Sequence, residues 1–363
     1  MSQERLARTQ AVLQRDEVDA LLVGPSAELR WLVGYHALPL ERLTLLVVPA
    51  DGDPQLVVPA LEAPRARESG ADRFATIRPW EETDDPMALV SNIVGGGGAG
   101  RFAVQDRLWT SFTLALQAAI PASTWIPGSE VMRELRMIKS TEEQQALREV
   151  GAAIDRVHEQ VPGLLRVGRT EREVGRDIAD LILVDHDEVN FVIVGSGPNG
   201  ASPHHETGER VLAAGDAVVV DIGGTRAGYC SDCTRNYVVG DAPAGYAELH
   251  AILEDAQERA VAAVRPGVTA EAIDAAAREP IVAAGYGELF IHRTGHGIGV
   301  EEHEEPWIVA GNRLLLEAGM AFSVEPGIYV PDRYGARIED IVLVTEDGVE
   351  RVNHRPRDVI VAG

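Results

Sequence analysis

Four acidic residues beside glycine-rich turns form two pairs in the second half of the chain. Asp221 ends an apolar segment, and Asp232 follows eleven positions later. Glu325 ends a similar segment, and Glu339 follows fourteen positions later. A chain that turns back antiparallel within each pair would place the two carboxylates about 5 Å apart. Four converging carboxylates repel one another unless cations lie among them, so the spacing predicts a site for two divalent metal ions.

His296 is the nitrogen donor that completes this set. It lies in Thr-Gly-His-Gly-Ile-Gly, and the flanking glycines allow close backbone approach and expose the imidazole. An imidazole among carboxylates suits manganese, cobalt, iron or zinc better than calcium. Two such ions about 3.5–4 Å apart polarise a carbonyl group and lower the pKa of water. The five residues therefore predict a hydrolytic dinuclear centre.

Two more histidines stand in segments that indicate chemistry. His204 follows the rigid polar loop 195–203, which favours a ring that donates to a reacting carbonyl oxygen or a tetrahedral intermediate, with an ordinary loop histidine as the alternative. His303 lies in Glu-His-Glu-Glu-Pro, which is not a zinc HExxH motif because Trp307 occupies the second histidine position. His303 remains a candidate to relay protons or to hold a substrate carboxylate.

An internal repeat indicates how these residues are positioned. Segments 212–223 and 316–327, offset by 104 positions, share Leu, Ala, Gly, Ala, Val and a final Gly, and the first acid of each pair falls at the same place. A second echo, offset by 99 positions, opens a helical pattern at Thr170 and at Thr269. Two similar halves predict a pseudo-twofold domain with a shared site at the seam.

The first third of the chain has a different pattern, in which short apolar runs alternate with helical periodicity. This alternation predicts a small α/β domain, with strands over 20–23, 43–48, 55–58, 74–77 and 101–104 and helices over 3–15, 86–93 and 111–119. The glycine run 95–98 predicts a surface loop. Pro127-Gly128 marks the break, so we expect an N-terminal domain 1–128 and an α+β catalytic domain 129–363.

Two successive helices are predicted to open the catalytic domain. A helix is predicted over 130–138, and Ser140 with Glu143 predicts a capping box that opens the next one.

Composition narrows the class of protein. The formal net charge of -24 disfavours nucleic acid and anionic membranes as partners. A 45% hydrophobic content supports a folded core, and two cysteines do not suggest a disulfide framework. Apolar runs are strand-length, whereas a membrane span needs about 20 residues. With no apolar segment behind the N-terminus, we expect no signal peptide and a cytoplasmic location.

Six blocks of the chain resemble the signature of the pita-bread metallopeptidases, and within that family the Xaa-Pro dipeptidases (prolidases) and Xaa-Pro aminopeptidases. They are Asp221-Ile-Gly, Ser231-Asp-Cys-Thr-Arg, His292-Arg-Thr-Gly-His-Gly-Ile-Gly, His303-Glu-Glu-Pro, Val324-Glu-Pro-Gly and Arg337-Ile-Glu-Asp. The resemblance covers residues 130–363 in the family's order and spacing. The N-terminal 128 residues are similar, less specifically, to its creatinase-type domain. The implied fold is therefore α+β, with a pita-bread catalytic domain after a smaller α/β domain.

The resemblance implies two divalent metal ions, with manganese expected and cobalt or zinc as alternatives. Asp221 would bind one ion, Asp232 and Glu339 would bridge both, and His296 and Glu325 would complete the shell of the other.

Catalytic and neighbouring roles are implied as well. Glu325 would be the general base, His204 would stabilise the intermediate, and His303 would lie on the substrate side. Three residues would lie near the metals or the substrate: His292, Tyr329 and Arg337. The family also implies a homodimer in which the small domain of one subunit edges the active site of the other.

The resemblance fails at one position that concerns substrate length. Many dipeptidases of this type carry an arginine after the His-Glu-x-Pro block to hold the substrate's carboxylate, and Trp307 stands here instead. Our hypothesis is that Arg42 supplies that cation across the dimer. We favour hydrolysis of Xaa-Pro dipeptides, with removal of the N-terminal residue from longer Xaa-Pro peptides as the alternative.

Three other functions compete with a peptidase. A non-catalytic peptide-binding module on the same fold would normally have lost metal ligands, and all five positions are filled here. A creatinase-like hydrolase works without metals and should lack this ligand set. A dinucleotide enzyme is suggested by Gly-Ser-Gly-Pro-Asn-Gly at 195–200, but such a fingerprint must open a helix, and prolines follow here.

Overall fold

The computed structural model describes residues 2–96 and 98–362. Internal contacts divide the chain into two compact units, Met1–Arg136 and Met137–Gly363. Gly97, within the predicted loop 95–98, lies outside the described residues. No helix in the described part of the chain is long and apolar enough to cross a membrane.

The first unit is a six-stranded mixed sheet with helices, in strand order β4-β3-β2-β1-β5-β6. Its elements are α1 Ser2–Arg15, β1 Ala20–Val23, α2 Ala27–Val33, β2 Leu45–Pro49, β3 Gln55–Pro59, α3 Ala63–Glu68, β4 Thr76–Trp80, α4 Pro86–Ile93, β5 Arg101–Val104, α5 Thr110–Ala119, β6 Thr124–Pro127 and α6 Ser129–Met137. Strands β1, β2 and β3 pair antiparallel, and the outer pairs are parallel. The α/β character predicted from the alternating pattern is confirmed.

Short elements of this unit escape the sequence pattern. Helix α2 has seven residues, too few for a helical period to stand out. Its ends do carry cap signals, since Ser26 accepts from the backbone of Leu29 and Gly34 takes a left-handed conformation with φ 76°.

Up to residue 362, the second unit combines four long helices with three sheets. Its elements are α7 Thr141–Gln160, α8 Glu171–Ile182, β7 Glu188–Ser196, β8 Ala217–Arg226, β9 Tyr229–Cys230, β10 Cys233–Val239, α9 Tyr246–Ala263, α10 Ala270–Ala283, β11 Gly295–Gly297, β12 Glu304–Ile308, β13 Ala321–Val324, β14 Gly327–Val330, β15 Tyr334–Arg337, β16 Asp340–Val344, β17 Val349–Arg351 and β18 Ile360–Ala362. The predicted capping box forms at the start of α7, where Ser140 and Glu143 exchange hydrogen bonds.

Two sheets carry the two predicted halves. One runs β18-β10-β8-β7 with β9 on β8, and the other runs β12-β11-β13-β16-β17. Equivalent bridges join Thr170 to Val211 in the first half and Thr269 to Leu315 in the second. These bridges reproduce the offsets of 99 and 104 positions that define the sequence repeat, so the repeated segments occupy equivalent places in the fold.

The glycine-rich loop at 195–200 does not open an α-helix. A five-residue 3-10 helix, Gly197–Ala201, follows β7 and gives way to turns. The local structure that dinucleotide binding requires is therefore missing at this loop.

Candidate metal centre

The first pair of acids sits where β8 and β10 run antiparallel. Asp221 lies within β8 opposite Thr234, and Asp232 immediately precedes β10. The two acids are therefore diagonal on one face rather than directly opposite. The hairpin between them turns at Ala227 and Gly228, both with positive φ, as the tight turn between twisted strands requires.

The second pair flanks the end of the ladder between β13 and β16. Val324 pairs with Asp340, so Glu325 and Glu339 are the next residues on the two strands. The segment between them forms the hairpin β14–β15 rather than the simple Gly/Pro turn that the sequence suggests. An antiparallel bridge from Glu339 to Thr234 then joins the second half to the first, at the predicted seam.

His296 lies on β11 between β12 and β13. Its Nδ1 is 3.1 Å from the carbonyl oxygen of Gly297. A carbonyl only accepts, so Nδ1 carries the hydrogen and Nε2 presents its lone pair. Nε2 lies 3.2 Å from Glu325 Oε1 and 3.7 Å from Asp232 Oδ2. This is the tautomer and orientation that a metal-ligating histidine takes.

The glycine before His296 is required by packing. A Cβ on Gly295 would overlap the carbonyl oxygen of Ser323 on the neighbouring strand. The predicted close backbone approach beside this histidine therefore occurs.

The donor set fits divalent cations. Ligand atoms of Asp232, His296 and Glu339 all lie within 4.8 Å of one another. Among the described residues, the buried Oδ1 of Asp221 has no hydrogen-bond partner. A buried carboxylate oxygen without a partner is costly, and a bound cation would satisfy it.

The electrostatics of the cluster also indicate that these buried carboxylates require a cation. Burial raises the pKa of Asp232, and the charges of Glu339 and Asp221 raise it further. Burial also raises the pKa of Glu339, followed by the charges of Glu325 and Asp221. Burial and mutual repulsion therefore disfavour the ionised forms of these carboxyls, and divalent ions would stabilise them.

Arg337 is the one cation buried among these acids in the described part of the site. Its guanidinium pairs closely with Asp221 Oδ2 and donates to Tyr329 Oη at 2.9 Å, to Thr234 Oγ1 at 3.1 Å and to the carbonyl of Pro203 at 3.2 Å. It fixes one oxygen of Asp221 and leaves the other for a metal.

Tyr329 carries this network to His292. The Nδ1 of His292 donates to the carbonyl of Arg293 at 2.7 Å, so its Nε2 accepts from the Tyr329 hydroxyl at 2.9 Å. Burial raises the pKa of Tyr329 to about 12, which keeps the hydroxyl protonated as a donor. The chain Asp221–Arg337–Tyr329–His292 is continuous.

Two hydroxyls that the sequence interpretation missed hold the acids in place. Thr234 donates to Glu339 Oε2 at 2.7 Å. Ser323 accepts from the backbone N–H of His296 at 2.9 Å and donates to Glu325 Oε1 at 3.0 Å. Each hydroxyl lies two positions from an acid of the site, and residues i and i+2 on a strand share a face. The two-residue repeat of a strand could therefore have identified both hydroxyls from the sequence.

A cleft of about 410 Å³ opens over the centre. Its lining includes all five predicted metal ligands together with His204, His292, His303 and Arg337, and adds Phe191, Ile193, Pro203, Arg293 and Glu302. The His303 ring stands edge-on to the His296 ring, with centroids 4.0 Å apart. Ile193 lies directly opposite Asp221 on the neighbouring strand, so Phe191 and Ile193 form an apolar wall on the same face.

The loop that carries His204 is held by a buried acid. Glu171, at the start of α8, accepts from the hydroxyl and backbone of Ser196, from Asn199 and from His205. The His204 ring is left exposed in the cleft. The acid therefore positions the loop and leaves this histidine free to meet a ligand.

Two family models match the chain. Residues 145–346 match Metallopeptidase family M24, and residues 5–138 match the Creatinase/Prolidase N-terminal domain. The chain belongs to metallopeptidase family M24. The family and the pita-bread fold expected from the sequence are thereby confirmed, as is the expectation of a metal-dependent hydrolase.

Relatives of this M24 peptidase match over nearly its whole length. The probable dipeptidase PepE of Mycobacterium tuberculosis is 49% identical, covering 98% of this chain and 96% of that protein. The Xaa-Pro dipeptidase of Lactobacillus helveticus is 34% identical, with 98% of both chains covered. The crystal structure of prolidase from Thermococcus sibiricus superposes with a TM-score of 0.94 at 34% identity, covering 99% of each chain.

Arg42 is the predicted site residue that belongs to the other unit of this M24 chain. It belongs to the first unit, where its guanidinium lies 2.6 Å from Glu82 and 2.5 Å from Glu41. Two carboxylates already neutralise it within its own unit. Its role toward a substrate stays a prediction.

Proposed function

We propose that this M24 peptidase hydrolyses the bond before proline in Xaa-Pro dipeptides, using two divalent metal ions. The observation that carries the proposal is the set of four carboxylates and one imidazole converging on a cleft of about 410 Å³, a size for a small ligand. Relatives named as dipeptidases and prolidases at 34–49% identity support the substrate class.

Five residues would hold the ions: Asp221, Asp232, His296, Glu325 and Glu339. Carboxylates and one imidazole favour manganese, with cobalt or zinc as alternatives. When bound, such ions polarise the scissile carbonyl and lower the pKa of the attacking water.

The chain's own residues complete the reaction. Of the four acids, Glu325 is the best placed to accept a proton from water, because its side chain is 15% exposed whereas that of Asp232 is 4% exposed. His204 stands free in the cleft to donate to the oxygen that becomes negative when water attacks. His303, against His296, lines the cleft where it can contact the bound substrate.

We also propose the division into a creatinase-type domain 1–128 and a catalytic domain 129–363, the homodimer, and the cytoplasmic location. The match of the N-terminal model to residues 5–138 supports a separate first domain. Sedimentation of the purified chain measures the oligomeric state, and a monomer at assay concentration would contradict the dimer.

Hydrolysis of Ala-Pro, Ala-Pro-Ala and a longer Ala-Pro peptide tests the function, after chelation and reloading with manganese, cobalt or zinc. We expect metal-dependent release of proline from Ala-Pro alone. Glu325→Gln is the matched control, and it should lose roughly 10²–10⁴-fold in kcat while keeping its fold. Absence of metal-stimulated cleavage of any of the three peptides would refute the proposal.

The aminopeptidase remains the second outcome of the same assay. Cleavage of Ala-Pro-Ala and the longer peptide at rates comparable to Ala-Pro would assign the chain to N-terminal residue removal.

A further inference from the structure

Arg293 is a cation in the cleft that no role assigned so far uses. It lies just before Thr294 and β11, and it lines the cleft together with the proposed metal ligands. Its charge is close enough to Glu325 to interact with it electrostatically. A positive group therefore lines the same cleft as Glu325, the proposed general base.

The guanidinium is held by a ring rather than by an acid. Its central carbon lies 4.3 Å from the centroid of the Trp307 ring. Trp307 lies opposite His296 in the pairing of β12 with β11, so its side chain shares the face that points to the site. Stacking on an aromatic face orients the planar guanidinium and leaves its N–H edge free.

Within residues 2–96 and 98–362, Arg293 makes no ion pair, and its guanidinium donates no hydrogen bond. Other arginines of this unit contrast with it. Arg278, which also lies over a ring, is paired with Asp274, and Arg337 is paired with Asp221. A half-buried arginine without an acceptor in a cleft indicates that a ligand supplies one.

We propose that Arg293, oriented by Trp307, binds the C-terminal carboxylate of the dipeptide and thereby sets the length of the substrate. This inference rests on the proposed function. It places the carboxylate-binding cation on the residue that stacks on Trp307, rather than on Arg42.

The geometry of a dipeptide agrees with this assignment. Three bonds separate the scissile carbonyl carbon from the carboxylate carbon, so the two lie within about 4 Å. The cation must therefore line the same cleft as the metal ligands, as Arg293 does. One more residue moves the carboxylate up to about 3.8 Å farther along the chain, away from this pairing.

The test measures binding without turnover. The probes are an Ala-Pro analogue in which CH₂ replaces the scissile carbonyl, and its carboxamide, titrated calorimetrically into the manganese-loaded chain. The wild type should bind the acid roughly 10- to 100-fold more tightly than the amide. Arg293→Ala should bind the acid only as tightly as the wild type binds the amide, and its affinity for the amide should not change. If Arg293 had a merely structural role, the substitution would weaken the binding of acid and amide by the same factor.

Matched variants exclude indirect effects. Arg313→Ala removes the same charge from a side chain that is 87% exposed, and it should keep the preference for the acid. Arg293→Lys keeps the charge without the planar fork and should retain part of the preference. Thermal unfolding of each variant checks that the fold is intact.

The outcomes distinguish failure of the proposed role of Arg293 from failure of the proposed peptidase function. Equal or unmeasurable binding of acid and amide by the wild type, or an acid preference that survives Arg293→Ala, would overturn the role of Arg293 whether or not Ala-Pro is cleaved. An acid preference that depends on Arg293, with no cleavage of Ala-Pro, would refute the peptidase and leave the carboxylate site standing.

Discussion

Removal of the Arg337 guanidinium should destabilise the metal-free chain strongly. The side chain is 3% exposed and donates to Asp221, Tyr329, Thr234 and Pro203. Arg337→Met keeps most of the length but leaves Asp221 buried without its counter-charge. Breaking a buried pair in this way costs about 3–5 kcal/mol. In a unit of 150–250 residues each kcal/mol lowers the unfolding midpoint by about 2–4 °C, so we expect a loss of roughly 6–20 °C.

Differential scanning calorimetry of the chelator-treated chain measures this loss. Arg313→Met is the matched control, because that arginine is largely exposed and its removal should change stability by about 0.5 kcal/mol or less. The double variant Arg337→Met/Asp221→Asn removes the charge that the single variant leaves unpaired. It should therefore be more stable than the Arg337→Met variant.

The double variant also supplies the refutation. If its destabilisation equals the sum of the two single losses, the two side chains do not stabilise each other, and the paired-charge explanation is wrong. A midpoint for Arg337→Met within 1–2 °C of the wild type, on the order of the smallest effect expected per kcal/mol, would exclude the buried-pair cost itself.

Three further changes test neighbouring features. Ser323→Ala should cost about 1–3 kcal/mol by chemical denaturation and lower kcat, because the backbone N–H of His296 loses its acceptor. Burial lowers the pKa of His250 to about 4, below the value of 6.5 it has when unfolded. The unfolded chain therefore binds the proton more readily than the folded chain. The contribution of neutral His250 to the free energy of unfolding is complete above about pH 6.5, and it is lost as the pH falls toward 4, by roughly 3 kcal/mol in all. Unfolding of His250→Gln measured across that range should show a smaller pH dependence. Gly297→Ala would press a Cβ against backbone carbonyls of β12, and metal titration should show weakened binding at the site.

Residue type and local pattern were sufficient to propose a metal centre, and the five proposed ligands do line one cleft. An acid at the end of an apolar strand, beside glycines and repeated 104 positions later, is a local signal that survives without knowledge of the fold. The same period-2 rule would have identified Thr234 and Ser323, which lie two positions from acids of the site. Short elements such as α2 were missed altogether, because seven residues span only two helical turns.

Contacts between distant segments were beyond the sequence pattern. Arg337 reaches Asp221 across 116 positions, and Thr234 reaches Glu339 across 105. Both contacts depend on the register of the strands and on how the two halves meet, which residue types alone do not determine.

The cleft shows the same difference between what residue types predict and what the tertiary structure decides. The sequence by itself predicted which five residues would bind metal, from their chemistry and spacing. It also revealed that Trp307 stands where an arginine was expected. Only the tertiary structure placed Arg293 on that ring and Arg42 between two glutamates. The reason is physical: a side chain's type fixes what it can bind, but its partners depend on the packing of residues far apart in the chain.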